Sequence, residues 1–176
     1  MKKIFTAAAA LLALSTFGAE LKIDFNAASP WKTMGNHAQN VKFEHKEFKG
    51  KKATVVTLSA TAKGTDTAFS LATDSFSVKG KKSITVKFTC LGTKGMKDFK
   101  GGGRWCSVVR FSDGAKKEIA PVAAITLQPA TGEYQNMTVT IPVPAKAETA
   151  LLHFGFDNPN ITKNNIFAVT DVVITY

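Results

Sequence analysis

The sequence predicts an all-β protein, an antiparallel β-sandwich (jelly roll) of about ten short strands that follows a signal peptide. Three observations lead to this prediction. Short apolar segments alternate with polar residues at the period of two that half-buried strands show. Clusters of Gly, Asn, Asp, Lys and Pro separate these segments, and helical periodicity is nowhere sustained. The length of 176 residues fits one domain with a sizeable core.

Residues 1–19 are predicted to form a secretory signal peptide, and residues 20–176 a single β-sandwich domain. Two lysines precede an apolar run over 4–14 that is too short to span a bilayer. Cleavage after Gly18 is favoured, because a cut one residue later would put bulky Phe17 three residues before it. We expect a secreted or periplasmic monomer without a transmembrane segment.

Ten segments carry the strand pattern, with β-branched and aromatic residues enriched. In the first, Leu21, Ile23 and Phe25 alternate with polar residues, and the lysine-rich turns at 49–52 and 79–82 lead into the third and fifth. In chain order the segments are 21–25, 41–43, 53–60, 68–71, 84–90, 106–111, 122–127, 137–143, 151–156 and 166–176.

Positive charge is concentrated in the middle of the chain. The formal net charge is +10, and residues 79–117 carry 11 Lys and Arg against two Asp, whereas residues 118–176 carry two against five acids. This excess indicates an anionic partner or surface. A basic stretch with interleaved aromatics also suits single-stranded nucleic acid. Export argues against that partner, and we expect no nucleic acid.

The sequence contains none of the common catalytic signatures. It has no Gly-x-Ser-x-Gly elbow, phosphate loop or dinucleotide fingerprint, and its three histidines match no zinc spacing. We therefore predict a non-enzyme with no catalytic residues and no required cofactor.

The order of several segments resembles the jelly-roll carbohydrate-binding modules typified by the N-terminal modules of bacterial cellulases and xylanases. The resemblance implies a galactose-binding-like β-sandwich and a polysaccharide ligand. It also implies that Trp31 and Tyr134 are structural aromatics that pack in or against the core. The matching segments are Leu21 to Asn26 with the Trp31 turn, Phe76 to Phe88 with Gly80, Val108 to Gly114, Gly132 to Pro144, and the closing pair 151–156 and 166–176, with Asp171 in the last strand.

The same resemblance implies a structural calcium between the first and last strands. Asp171 matches the aspartate that such modules use, and Asp24 or Asn26 would offer a second oxygen, in keeping with the preference of calcium for hard oxygen ligands. Asp171 fits an edge or surface position equally well. Calcium is therefore an optional metal, with Asp171 and Asp24 as its candidate ligands.

Cys90 and Cys106 are the only cysteines, and in an exported chain such a pair is expected to form a disulfide. Closing this loop would stabilise the fold by roughly 3 kcal/mol. Strand alternation places Cys90 inward and Cys106 outward, so the bond requires a bulge near Gly101–Gly103 or just after Trp105.

The loop between the cysteines is the first candidate for a ligand site. Trp105 and Phe99 offer rings for stacking on sugars, and Arg104 offers a bidentate bond to a uronate or sulfate. The alternative is that Trp105 and Phe99 fold back as a cap over one end of the sandwich. Arg110 and His153 are predicted to share a solvent-facing sheet surface that adds to the site.

The predicted function is an exported, non-catalytic, carbohydrate-binding-like module that recognises a polysaccharide or another anionic glycan, an acidic one in preference. Two other hypotheses remain. One is a structural or adhesive cell-envelope protein that binds anionic polymers nonspecifically. The other is a polysaccharide lyase, for which Arg104, Arg110, His153 and Tyr134 are the available residues.

Overall fold

The computed structural model describes residues 19–24, 31–34, 41–58, 62–63, 69–94, 104–127, 129–157, 160–161 and 166–176. Fourteen strands lie in these ranges. The predicted signal peptide falls outside them, apart from Ala19. The described ranges contain no helix with the length and apolar character needed to cross a membrane. The strands are β1 (Glu20–Lys22), β2 (Lys32–Met34), β3 (Val41–Phe48), β4 (Lys51–Leu58), β5 (Ala62–Lys63), β6 (Phe69–Ala72), β7 (Phe76–Ser77), β8 (Ser83–Gly92), β9 (Arg104–Ser112), β10 (Glu118–Ile125), β11 (Gln135–Pro142), β12 (Thr149–Asp157), β13 (Asn160–Ile161) and β14 (Ile166–Thr175).

Two antiparallel sheets form the predicted β-sandwich. In sheet A the order is β11-β8-β14-β4-β3, and β1 pairs with β14 beside this path. In sheet B the order is β10-β9-β12-β6-β2, and β7 pairs with β12. The short strands β13 and β5 pair separately. The fold class predicted from the alternation of apolar residues is therefore confirmed.

The inner faces of the two sheets meet around Phe154. Its ring centroid lies 4.9 Å from that of Phe88 and 6.0 Å from that of Phe167, so a residue of sheet B contacts two strands of sheet A. Trp31 packs edge-on against the same ring at 5.7 Å and is buried. The structural role predicted for Trp31 is confirmed.

A polar chain continues from Trp31 into sheet A. The indole Nε1 of Trp31 donates to Thr54 Oγ1 at 2.8 Å, and His45 Nδ1 lies 2.9 Å from the same oxygen. The buried indole N–H is thereby satisfied, as buried polar groups require. Burial lowers the pKa of His45.

A second, smaller apolar cluster lies on the outer face of sheet A. Val55, Leu91 and Ala168 are buried there, and Tyr134 packs against them. The Tyr134 hydroxyl donates to the carbonyl of Phe48 at 3.0 Å, which ties the β3–β4 hairpin to the start of β11. Burial, followed by the charge of Asp171, raises the pKa of Tyr134. Tyr134 is thus structural, as predicted.

Candidate functional site

Arg110 and His153 occupy the outer face of sheet B. In β9, Val109 and Phe111 belong to the core, so strand alternation turns Arg110 outward. The register between β9 and β12 pairs Arg110 with Leu151 and Val108 with His153. The predicted sharing of one sheet surface is therefore correct.

Most of the middle of this face is closed to solvent. Val108 and His153 are 7% and 5% exposed, and Ala72, which pairs with His153 from β6, is 1% exposed. The prediction that His153 faces solvent is wrong, because an outward strand position can still be covered. The pKa of His153 is lowered to about 4, first by burial and then by the positive charge of Arg110, whereas Glu118 acts in the opposite direction. The imidazole is neutral at neutral pH.

Arg110 is an accessible charged group of this face. Its side chain is 42% exposed, and its Nη1 donates to Glu118 Oε2 at 2.5 Å across the β9–β10 hairpin. The Nε atom of Arg110 is buried without a hydrogen-bond partner. A guanidinium carries five donors in a planar fork, so the exposed part can meet a carboxylate or a sugar hydroxyl while Glu118 holds one edge.

Arg104 and Trp105 begin a strand, whereas the sequence placed them in a loop. The β8–β9 connection spans only residues 93–103, because β12 extends to Asp157 and pairs with β9 as far as Arg104. The two residues therefore do not belong to the connection between the cysteine-bearing strands, where the sequence predicted them. Phe99 lies outside the described residues.

The structure does not contain the predicted Cys90–Cys106 disulfide. Cys90 is a free thiol buried in the core, on β8 of sheet A, and burial raises its pKa to about 12. Cys106 belongs to β9 of sheet B. β9 has no bulge just after Trp105, since it pairs with β12 in unbroken register from Ser112 to Arg104, and Gly101–Gly103 lie outside the described residues.

Asp24 and Asp171 line one pocket of about 430 Å³. It lies where β14 exchanges partners, because β14 pairs with β4 only up to Val169 and with β1 from Val173 onward. The structure thus brings the two predicted calcium ligands together. However, Lys22, Lys51 and Lys52 line the same pocket, and Lys51 Nζ lies 2.8 Å from Asp171 Oδ2.

The donor set of this pocket does not fit calcium. Calcium takes roughly six to eight oxygen ligands, with carboxylates prominent among them. Here two aspartates share the lining of the pocket with three lysines. Across the described ranges no group of three or more His, Cys, Asp and Glu side chains has the arrangement of a metal site.

The central basic stretch is partly neutralised by the acidic end of the chain. Lys79 Nζ lies 2.9 Å from Glu148 Oε1, and Arg110 pairs with Glu118. Segments that differ in charge along the sequence therefore meet in the fold. Glu118 and Lys51 were not among the predicted site residues. A symmetric hairpin about the Asp113-Gly114 turn would have placed Glu118 near Arg110, whereas no local pattern relates Lys51 to Asp171.

The fold is that of the β-sandwich carbohydrate-binding modules, as the sequence resemblance predicted. The xylan-binding CBM22-1 domain of Paenibacillus barcinonensis Xyn10C superposes with a TM-score of 0.53 and 11% identity, over 90% of this chain and 94% of that domain. TmCBM61, solved in complex with β-1,4-galactotriose, gives a TM-score of 0.51 and 14% identity, over 92% and 95%.

A third likeness involves a much longer protein. The enzymatically active domain of bacteriophage CBA120 tailspike protein 4 gives a TM-score of 0.57 and 13% identity over 86% of this chain, but the chain spans only 20% of that domain. No family model and no curated protein sequence matches the chain. At these identities the likenesses establish the fold alone.

Proposed function

We propose that this protein is an exported, non-catalytic module that binds a polysaccharide on the outer face of sheet B. One observation carries the proposal. The chain superposes on two structures whose names include a xylan-binding domain and a galactotriose complex, with at least 90% coverage in both directions.

An acidic polysaccharide fits the accessible part of this face best. The exposed edge of the Arg110 guanidinium is suited to a charge-assisted, bidentate bond with a uronate. Leu151, its cross-strand partner, is half-buried and offers an apolar neighbour for the sugar ring. The formal net charge of +10 would draw an anionic polymer toward the protein.

The lyase hypothesis is weakened by the positions of its residues. His153 lies on the outer face of sheet B, whereas Tyr134 packs on the outer face of sheet A. Tyr134 therefore cannot act as the base beside Arg110, and the alternative base, His153, is only 5% exposed, whereas a base must reach the reacting atoms.

Nonspecific binding of anionic envelope polymers is the second candidate. The observation that favours it is the exposure of lysines such as Lys82, Lys87, Lys116 and Lys117 on several surfaces. Attraction of this kind is screened by salt, whereas a fitted sugar site loses much less affinity.

The test is binding of residues 19–176 to neutral, uronic and sulfated polysaccharides at low and raised salt. We expect selective binding to uronic polymers that Arg110→Gln weakens about tenfold, as loss of one charged hydrogen bond would. Lys87→Gln is the matched control, because it removes one positive charge from an exposed residue of sheet A. Equal effects of the two variants would favour the nonspecific candidate.

Glu118→Gln sharpens the same experiment. Neutralising Glu118 leaves the Arg110 guanidinium without its carboxylate partner, so a uronate meets less competition. We expect tighter binding to uronic polymers and unchanged binding to neutral ones. Weaker binding of Glu118→Gln to every polymer would mean that Glu118 itself contacts the ligand.

A further inference from the structure

The junction of β1, β4 and β14 holds a lysine ammonium where the resemblance to carbohydrate-binding modules implies calcium. Lys51 Nζ is 2.8 Å from Asp171 Oδ2, the distance of a charge-assisted hydrogen bond. We propose that the Lys51 ammonium takes the electrostatic place of that calcium, so that an ion pair between β4 and β14, and no metal, supports the junction here.

The backbone of β14 presents Asp171 to Lys51. Asp171 has a φ of 53°, a left-handed conformation that costs most side chains free energy but that Asp tolerates. It lies in the register shift of β14 between Thr170 and Val173, and such bulges redirect a side chain away from the regular alternation. From this bulge the carboxylate reaches Lys51, the first residue of β4.

Neutral hydrogen bonds fix both sides of the same bulge. The Thr170 hydroxyl donates to the carbonyl of Lys52 at 2.6 Å, which bridges β14 to β4 after their ladder has ended. On the other side, the Ile23 N–H donates to the carbonyl of Val172 at 3.1 Å. The Lys51–Asp171 ion pair is thus the charged one of several contacts at the point where β14 stops pairing with β4 and begins to pair with β1.

Lysines outnumber aspartates among the residues that line this pocket. Three lysines and two aspartates are among the residues that line it, so a divalent cation would compete with ammonium groups for the carboxylates. Lys22 also pairs with Glu20 at 2.8 Å on the adjacent strand. A calcium ion would compete with Lys51 for the Asp171 carboxylate.

Thermal unfolding of the unmodified protein gives the first test. We expect the same unfolding midpoint in excess calcium chloride and in excess EDTA, with magnesium chloride at equal ionic strength as the control. A midpoint that rises in calcium but not in magnesium, and falls in EDTA, would overturn the proposal. This result is independent of polysaccharide binding, so the two proposals can fail separately.

A double-mutant cycle gives the second test. Lys51→Met keeps the aliphatic stem and Asp171→Asn keeps the left-handed backbone, so each removes charge with little change of shape. We expect each to lower the midpoint by roughly 1–3 °C, and the double variant to fall by clearly less than the sum.

The matched control replaces a lysine of a different exposed pair. Lys79 contacts Glu148 at 2.9 Å, and its side chain is 72% exposed, against 42% for Lys51. Lys79→Met combined with Asp171→Asn should give additive midpoint shifts. If Lys51→Met and Asp171→Asn are equally additive, the ion pair does not hold the junction and the proposal is wrong.

Discussion

His153 links the stability of the fold to pH. Its pKa is about 4 in the folded protein, because the buried imidazole is costly to charge, and about 6.5 in the unfolded chain. Between these values the unfolded state binds more protons, so stability is complete above pH 6.5 and falls as the pH drops toward 4. The pKa of His45 is lowered as well, and its effect has the same sign.

We therefore expect the free energy of unfolding to fall by about 3 kcal/mol between pH 7 and pH 4 through His153 alone. Urea denaturation at a series of pH values measures this loss. His153→Gln cannot take up the proton, so the slope of the unfolding free energy against pH should be much smaller in this variant. An unchanged slope in this variant would show that other groups cause the pH dependence.

For single residues, the sequence predicted which face of a sheet a side chain occupies better than it predicted how deeply that side chain is buried. Period-two alternation correctly placed Arg110 and His153 on one surface. It did not reveal that His153 is buried, since burial depends on what packs across the face. Asp171 was matched by its position near the chain end, but its partner Lys51 is 120 residues away in the sequence.

Among the elements, β12 joins the two sheets through one side chain. Phe154 contacts Trp31, Phe88 and Phe167, and it is 1% exposed. We expect Phe154→Ala to cost about 3–5 kcal/mol by leaving a cavity between the sheets. Phe154→Leu, which fills more of the space, should cost less. Chemical denaturation of both variants measures the difference, and similar costs for the two would contradict the cavity explanation.

The free thiol of Cys90 in β8 leads to a second prediction. A disulfide between Cys90 and Cys106 would contribute roughly 3 kcal/mol, whereas a buried free thiol contributes only its packing. We expect the unfolding midpoint to be the same with and without reductant. A thiol reagent should modify Cys90 only after denaturant is added, since burial and a pKa of about 12 leave little reactive thiolate. A midpoint that drops in reductant would mean that the disulfide does form.

Each of the ten predicted segments corresponds to a strand, because each is long enough to show the alternation. The four strands without a prediction, β2, β5, β7 and β13, have only two or three residues. The strand boundaries differ from the predicted ones where pairing with a neighbouring strand makes a strand longer. Arg104 and Trp105 joined β9 because β12 continues to Asp157 on the neighbouring strand, a long-range effect that local periodicity does not contain.

Over the whole molecule, the order of the strands in space differs from their order in the chain. Among the described strands, β14 comes last in the sequence. In space it lies between β8 and β4, and it also pairs with β1. It brings Phe167, Val169, Val172 and Ile174 into the core. Without β14 the path of sheet A is divided into two separate strand pairs, β11-β8 and β4-β3.

We therefore expect a chain that ends at residue 165 to show no cooperative thermal transition, because it lacks the central strand of sheet A. A chain that begins at Ala19 and keeps β14 is the control, and it should unfold cooperatively. Circular dichroism during heating distinguishes the two. A cooperative transition in the shortened chain would mean that β8 and β4 can pair without β14.

The position of β14 also affects how the protein folds. Among the described strands β14 is the last along the chain, and it pairs with strands that come much earlier. Contacts between segments so distant in sequence form slowly. We therefore expect the local β3–β4 hairpin to form before sheet A is complete, so that docking of β14 limits the folding rate.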